Sequence, residues 1–485
     1  MAEMETLDPV LRRTAIAVVV GALAVVFDTT IVSIALRTLA TELNTTVDVI
    51  QWVTTGYLLA LGVAIPLVGW AQSRIGGKRL WIAALSLFLV ASVLCSLAGD
   101  PQSLIASRIV QGLGGGALLP LSSTLVIQAA QGRNLGRVMA TLSLPAVLGP
   151  ILGPVLGGLI LNTLDWRWLF WVNVPFCVVG LILATLLLPK DEPARPVRLD
   201  VVGLLLLSPS IVWLLFGLSN GAKDGGFGRA DVVLPLIFGA ALLTGFVAWA
   251  IRRPGTALID VRLLTHRPLA TSSALLFLTG VSLYGAMLLL PLYWQEVRGF
   301  DPLGAGLLLI SQGVGTFLSR SSAGRLTDRF GARWVSVAGF AIVGVGTLPF
   351  AVATASTNEW MLMAALLVRG FGLGAVTIPL MAGGFVGLER AEVPHASVIT
   401  RIATQVGGSF GVAVLAVILH ARVVGGADLA TAFDQAFWWA VGFTGLGVAL
   451  SFLLPSRQGP PPERVSGGRQ PGAERSRRRA CRPRR

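Results

Sequence analysis

The stretch TAIAVVVGALAVVFDTTIVSIAL, Thr14–Leu36, decides how the rest of the chain is read, because Asp28 is its one ionisable group. A hydrocarbon core of roughly 30 Å takes about 20 residues of helix, since each backbone N–H and C=O must be paired inside the segment. The stretch follows Arg12 and Arg13 as a secretory signal would, but it is too long for one and contains an acid. It is expected to remain in the membrane as a helix.

Moving outward, thirteen further apolar stretches of similar length succeed it, at about 49–69, 80–98, 103–128, 138–161, 168–188, 200–219, 231–251, 269–291, 303–322, 334–354, 358–382, 396–420 and 433–455. Of the 485 residues, 54% are hydrophobic and 13% charged, against roughly 25% charged in soluble domains. Lipid is therefore the main solvent, and an all-α membrane protein with 14 transmembrane helices is expected. The net charge of +14 does not imply a nucleic-acid partner: ten arginines against Glu463 and Glu474 after Pro455 supply about +8 of it. The remaining basic residues sit in short connections rather than on one folded face.

Those connections alternate. Arg74, Lys78 and Arg79, then Arg133 and Arg137, then Lys190, Arg195 and Arg198, then Arg252, Arg253, Arg262 and Arg267, then Arg325, Arg329 and Arg333 share one side. That side is expected to be the cytoplasm, with both termini there and the Arg-rich tail against anionic lipid. Trp70, Trp81, Trp166, Trp168, Trp249, Trp294, Trp334 and Trp360 fall near span ends, where an indole prefers the headgroup region. Arg outnumbers Lys by 35 to 3, the codon bias of a high-GC bacterium, so the bacterial cytoplasmic (inner) membrane is the expected location. Cys95, Cys177, Cys481 and the three histidines lack ligand spacing, so no metal site is expected. No GxxxxGK[ST] occurs, which leaves no simple ATP site.

An internal repeat divides the chain. GWAQSRIGGKRL from Gly69 returns as GRLTDRFGARWV from Gly324, and RIVQGLGGG from Arg108 as RGFGLG from Arg369. The expected organisation is a cytoplasmic N-terminus (1–13), a six-helix bundle (14–188), two inserted helices with linkers (189–268), a second six-helix bundle (269–455) and a disordered tail (456–485). In the repeated loop, Gly69, Arg74, Gly76 and Lys78 match Gly324, Arg329, Gly331 and Arg333 as a candidate conformational latch, but Ser73 stands where the second copy has Asp328. The latch is expected to lose a charge in its first copy.

An ionised carboxylate at mid-membrane costs about 2.5 to 3.5 kcal/mol on insertion scales, so Asp28 needs a reason to be there. It shares a helical stripe with Gly21, Ala24 and Ala35, which turns it toward protein rather than lipid. Arg108 opens an Arg-x-x-Gln-Gly pattern with small residues on its face, leaving room for a partner. Together they form a candidate proton switch. Gly149, Gly153 and Gly157 recur every four residues, a face on which another helix can approach closely, while Gly158, Pro150 and Pro154 favour a bend. Gln51, Trp52, Thr55, Tyr57, Gln111, Tyr284, Gln405 and Ser409 are candidate cavity-lining groups.

FDTTIVSIALRTL, GWAQSRIGGKR, RIVQGLGGG, GPILGPVLGGLI and WRWLFWVNVPF, in that order, resemble the fourteen-helix drug:proton antiporters of the major facilitator superfamily. The resemblance implies the major facilitator fold, two six-helix bundles plus two inserted helices. GPILGPVLGG resembles the family's antiporter motif, found in exporters; Asp28 and Arg108 fall at positions the family associates with proton coupling. The implied function is a proton-coupled exporter of hydrophobic or amphipathic compounds by rocker-switch alternating access, with no cofactor and a monomer by default. Two rivals stay open: a facilitator or symporter importing a small metabolite, and a membrane sensor or scaffold. The tenth stretch has no acid between Leu303 and Ser319, which disfavours dicationic substrates.

Overall fold

The computed structural model describes residues 9–32, 35–45, 47–130, 144–191, 198–221, 228–253, 256–354, 356–389 and 391–455. The Arg-rich tail and most of the N-terminal segment lie outside the described residues, as does the 131–143 connection with Arg133 and Arg137. Among the described residues every regular element is helical. The first half contains α1 (Pro9–Ile31), α2 (Val47–Ala64), α3 (Gly77–Ser96), α4 (Pro101–Ala130), α5 (Leu144–Thr163) and α6 (Asn173–Leu187). The inserted pair is α7 (Val201–Gly221) and α8 (Ala230–Arg252). The second half contains α9 (Arg267–Leu292), α10 (Pro302–Phe330), α11 (Ala332–Thr347), α12 (Glu359–Gly383), α13 (Val393–Val424) and α14 (Leu429–Ser451).

Each predicted stretch thus carries a helix, though fewer than fourteen reach membrane-crossing length and apolarity by themselves. Among the described residues, ten helices are long and apolar enough to cross a membrane on their own, or eleven with the broken second stretch counted once. That stretch bends by 55° between α2 and a short helix, Leu67–Ile75, at Pro66, which has no N–H to donate into the ladder. In α10 the apolar segment is only Leu303–Ser319. In α14, Asp434, Gln435 and two tryptophans lower the hydropathy of the first half. At 30 and 32 residues, α4 and α13 are about 45 Å or more long and outrun the hydrocarbon core.

Glycines set the close packing. A methyl at Gly112 or Gly116 of α4 would collide with the Tyr57 or Leu61 carbonyl of α2, and one at Gly114 with α3. Gly21 of α1 receives the Trp81 indole, where a methyl would lie 2.8 Å from the ring. Trp81 is therefore a core residue. It is buried, as are Trp166 and Trp294, whereas Trp168, Trp334 and Trp360 are exposed as interface anchors should be. In the second half, Gly280, Gly407 and Gly411 bring α9 against α13 in the same way.

The repeat is visible in backbone detail. Gly76 and Gly331 begin α3 and α11 with the same left-handed geometry, φ/ψ of 92°/158° and 84°/160°, which a side chain would strain. Two residues on, Lys78 Nζ donates to the Thr185 and Leu188 carbonyls at the end of α6, at 2.6 and 3.0 Å. Arg333 Nε donates to the Leu454 carbonyl just beyond α14 at 2.5 Å. A cation at the start of the third helix thus secures the C-terminal end of the sixth in each half, with the favourable sign for a helix dipole. The inserted α7 packs on both α2 and α13, with the Ser208 hydroxyl donating to the Val63 carbonyl at 3.3 Å. It therefore touches both halves.

Candidate functional site

Five helices of the first half converge on one carboxylate. Asp28 of α1 has no solvent-exposed surface, and its Oδ2 accepts from Arg108 Nη1 of α4 at 2.5 Å. Its Oδ1 accepts from Gln111 Nε2 at 3.1 Å and from Asn173 Nδ2, at the start of α6, at 2.9 Å. Gln111 also donates to the Ser92 hydroxyl of α3 at 2.6 Å, and its Oε1 takes a second Arg108 bond at 2.5 Å. Arg108 Nε donates to the Val53 carbonyl of α2 at 3.2 Å, while the guanidinium lies 4.1 Å from the centre of the Tyr57 ring. A buried ion pair of this kind is held by geometry and by further hydrogen bonds to both partners. Loss of the carboxylate's charge would strand the guanidinium, so a proton taken up here would bear directly on the position of α1 relative to α4.

The glycine stripe of α5 bears on the same helix. A methyl at Gly149 would collide with Val26 of α1, and one at Gly153 with the Thr30 hydroxyl, one turn on. Asp28 lies between those two contacts. Gly157 is buried, and Gly158 faces Leu303 of α10 with room for a methyl at 3.7 Å. The side chains of Pro150 and Pro154 lie outside the described residues; the backbone of α5 is helical through both positions.

Arg369, the repeat counterpart of Arg108, is also buried, but only neutral groups meet it. It donates to Gln312 Oε1 at 2.6 Å, to the Ser282 carbonyl at 2.8 Å and to Thr347 Oγ1 at 3.2 Å. Among the described residues, an acid faces the buried arginine of the fourth helix in the first half alone.

The candidate cavity residues meet different neighbours. Gln111 belongs to the Asp28 network and Tyr57 forms its wall. Trp52 stacks on Phe216 of the inserted α7, with ring centroids 6.1 Å apart. Thr55 is half-buried on α2, Tyr284 lies over Gly408 between α9 and α13, Gln405 is buried on α13, and Ser409 is half-buried on the same helix. Gln51's side chain lies outside the described residues.

In the first latch, Ser73 bonds only its own turn, through the Trp70 carbonyl. The missing acid comes from elsewhere: Asp191, beyond α6, accepts from the Lys78 and Arg79 N–H groups at 2.7 and 3.1 Å. Arg74 is exposed, and Gly69 lies against Pro394 and His395 at the start of α13. In the second copy Gly324 is buried, Arg329 is exposed over Phe330, and the Asp328 side chain lies outside the described residues. At this end the halves are joined by a 3.1 Å hydrogen bond from Thr124 of α4 to Ser397 of α13.

Sequence reasoning missed Asn173, Ser92 and Asp191. Asn173 offered a signal, an amide inside WRWLFWVNVPF where apolar residues surround it. Ser92 and Asp191 offered none, since a helix serine and a loop aspartate are common.

The sequence profile of the Major Facilitator Superfamily matches residues 18–320 and 272–484. A multidrug resistance protein B homolog from Mycobacterium tuberculosis is 37% identical over 417 residues, 86% of this chain and 77% of that one. A probable actinorhodin transporter from Streptomyces coelicolor is 32% identical over 420 residues, 83% of this chain and 72% of that one. Among solved structures, the proton:xylose symporter XylE has the same fold, with a TM-score of 0.64 at 15% identity over 90% of this chain and 94% of that one. With ten or eleven membrane-length helices, two halves related by a repeat and drug-resistance relatives, the chain is a transporter rather than an enzyme, and it belongs to the Major Facilitator Superfamily.

Proposed function

We propose that this protein exports hydrophobic or amphipathic compounds from a bacterial cell in exchange for protons, by rocking its two halves about a central cavity in the cytoplasmic membrane. The observation that carries the reading is the sealed Asp28–Arg108 pair, with the glycine face of α5 fitted around the turn of α1 that holds the acid. With Asp28 ionised, Arg108, Gln111 and Asn173 bind α1, α4 and α6 together. A proton arriving from outside discharges Asp28 and releases Arg108 toward its remaining acceptors, Gln111 Oε1 and the Val53 carbonyl. The Thr124–Ser397 contact then has to open, giving Asp28 water from the inside and letting the proton leave.

Each inward proton releases about 2.3 kcal/mol per 100 mV, enough for a several-fold to tens-fold outward gradient. No nucleotide or cofactor enters the cycle. The basic connections around Lys78, Lys190 and Arg333 support a cytoplasmic position for both termini.

The test is transport in proteoliposomes, with fluorescent amphiphiles, one neutral and one acidic, as cargo and an imposed pH gradient. Wild-type protein should move the cargo against its gradient, and Asp28→Asn should not. Unchanged gradient-driven movement in D28N removes the proton role.

A further inference from the structure

Arg401 lies outside the proton site and, among the described residues, has no acidic partner. It sits on α13 four residues after Ser397, which meets α4, and four before the buried Gln405. That spacing places the three on one helical face, the face turned to the first half. The side chain is half-buried, and its Nε is shut off from solvent without a hydrogen-bond partner. Among the described residues, no carboxylate is within ion-pair distance of it. Its charge acts on Tyr57 of α2. Tyr57 is the residue whose ring underlies Arg108, and its own hydroxyl is buried and unpartnered. A snorkelling arginine would run to the headgroups; this one faces the seam between the halves.

Arg369 shows that neutral acceptors can satisfy a buried guanidinium, but the desolvated Nε of Arg401 has no acceptor, a cost that a visiting anion would relieve. Its planar fork matches a carboxylate with two parallel bonds. Asp28 is not available, because Arg108, Gln111 and Asn173 already hold it. Within the same half, the apolar segment of α10 from Leu303 to Ser319 offers no acid that would welcome a cation.

We propose that Arg401 receives the acidic end of the transported compound, so that the substrates are amphipathic organic acids with an apolar body and one carboxylate or comparably acidic group. This rests on the exporter reading above and narrows its substrate class. Arg401 thus holds the cargo in the second half while Asp28 holds the proton in the first.

The experiment is equilibrium binding to the purified full-length protein, without any gradient. The probes are 1-pyrenebutyric acid and its uncharged primary amide, followed by energy transfer from tryptophan. Wild type should prefer the acid. Arg401→Gln should weaken the acid by roughly 10- to 100-fold, the range for a hydrogen bond to a charged group, and leave the amide within about twofold. Arg401→Lys, which keeps the charge without the fork, should retain part of the preference and serves if R401Q does not fold. Equal binding of acid and amide to wild type, or an equal loss of both in R401Q, overturns the proposal. Because no gradient is used, that failure leaves proton coupling standing; gradient-driven transport by D28N would sink coupling and leave the acid preference intact.

Discussion

Neutralising Asp28 should destabilise the fold more than neutralising Arg108, although the two form one pair. In Asp28→Asn the guanidinium stays charged and buried, because arginine cannot shed its proton inside a protein. The amide has a single acceptor oxygen where the carboxylate served three donors: Arg108, Gln111 and Asn173. Its NH2 group must oppose at least one of them. Turning Asn173 over would help, since Asn173 Oδ1 is buried without a partner and could accept. Breaking a buried pair typically costs 3–5 kcal/mol, and that rescue places D28N near the lower end, about 3 kcal/mol. In Arg108→Gln the stranded acid can instead take up a proton, so the cost should be smaller and should shrink further as pH falls. The double variant D28N/R108Q buries no charge and should recover about 2 kcal/mol relative to the sum of the singles, a coupling typical of residues in contact. Unfolding of the purified protein in detergent, read from tryptophan fluorescence at two pH values, measures all four corners. Additive effects, or an R108Q variant less stable than D28N, would refute the idea that these groups stabilise each other as charges.

The glycine face of α5 should be sensitive by position: Gly153→Ala drives a methyl into Thr30 and should cost about 1–3 kcal/mol and most of the transport, while Gly158→Ala has room beside Leu303 and should be tolerated in the same assays. Asp191→Ala leaves the Lys78 and Arg79 N–H groups without their acceptor and should cost about 1 kcal/mol, the usual value of a helix cap, measurable as a fall in unfolding midpoint. Ser397→Ala removes a hydrogen bond between the halves worth about 0.5–1.5 kcal/mol, so a cysteine placed at the buried Thr400, three residues on, should react faster with a cytoplasmic-side maleimide in that background than in the parent; equal rates would separate this bond from opening. If the cargo is a monoanion exchanged for one proton, two charges move inward per cycle, about 4.6 kcal/mol per 100 mV, and clamping the membrane potential to zero with valinomycin and potassium should slow export even at a fixed pH gradient.

Much of the helix plan was legible because lipid imposes a strict rule: a segment that crosses must satisfy its own backbone, so length and apolarity mark it in one dimension. The same rule exposed Asp28 and Arg108, which stand out as charges among aliphatic neighbours. The illegible part depended on distant complements. Trp81 sits where an interface anchor would, and only the small Gly21 on another helix makes it a core residue. Ser73 looked like a lost charge, yet Asp191, far along the chain, supplies the anion at the same helix start. Asn173 and Ser92 are neutral groups whose role exists only once α3, α4 and α6 meet.

The two halves show what duplication left free to change. Both keep a left-handed glycine before the third helix, a cation two residues later securing the end of the sixth, and a buried arginine in the fourth. The first half adds an acid opposite its arginine; the second surrounds Arg369 with a serine, a threonine and a glutamine, none of which can take up a proton near neutral pH. Under the exporter reading proposed above, a proton taken up opposite the fourth-helix arginine acts in the first half, while Arg401 stands on α13 of the second. On the proposals above, coupling between cargo and proton would pass by way of Tyr57, whose ring underlies Arg108 and which feels the charge of Arg401. Tyr57→Phe keeps the ring beneath Arg108 but removes the hydroxyl, so it should spare the fold and preserve binding of an acidic cargo while lowering the amount moved per proton. A variant that transports with unchanged proton-to-cargo ratio would show that the two charges communicate by another route.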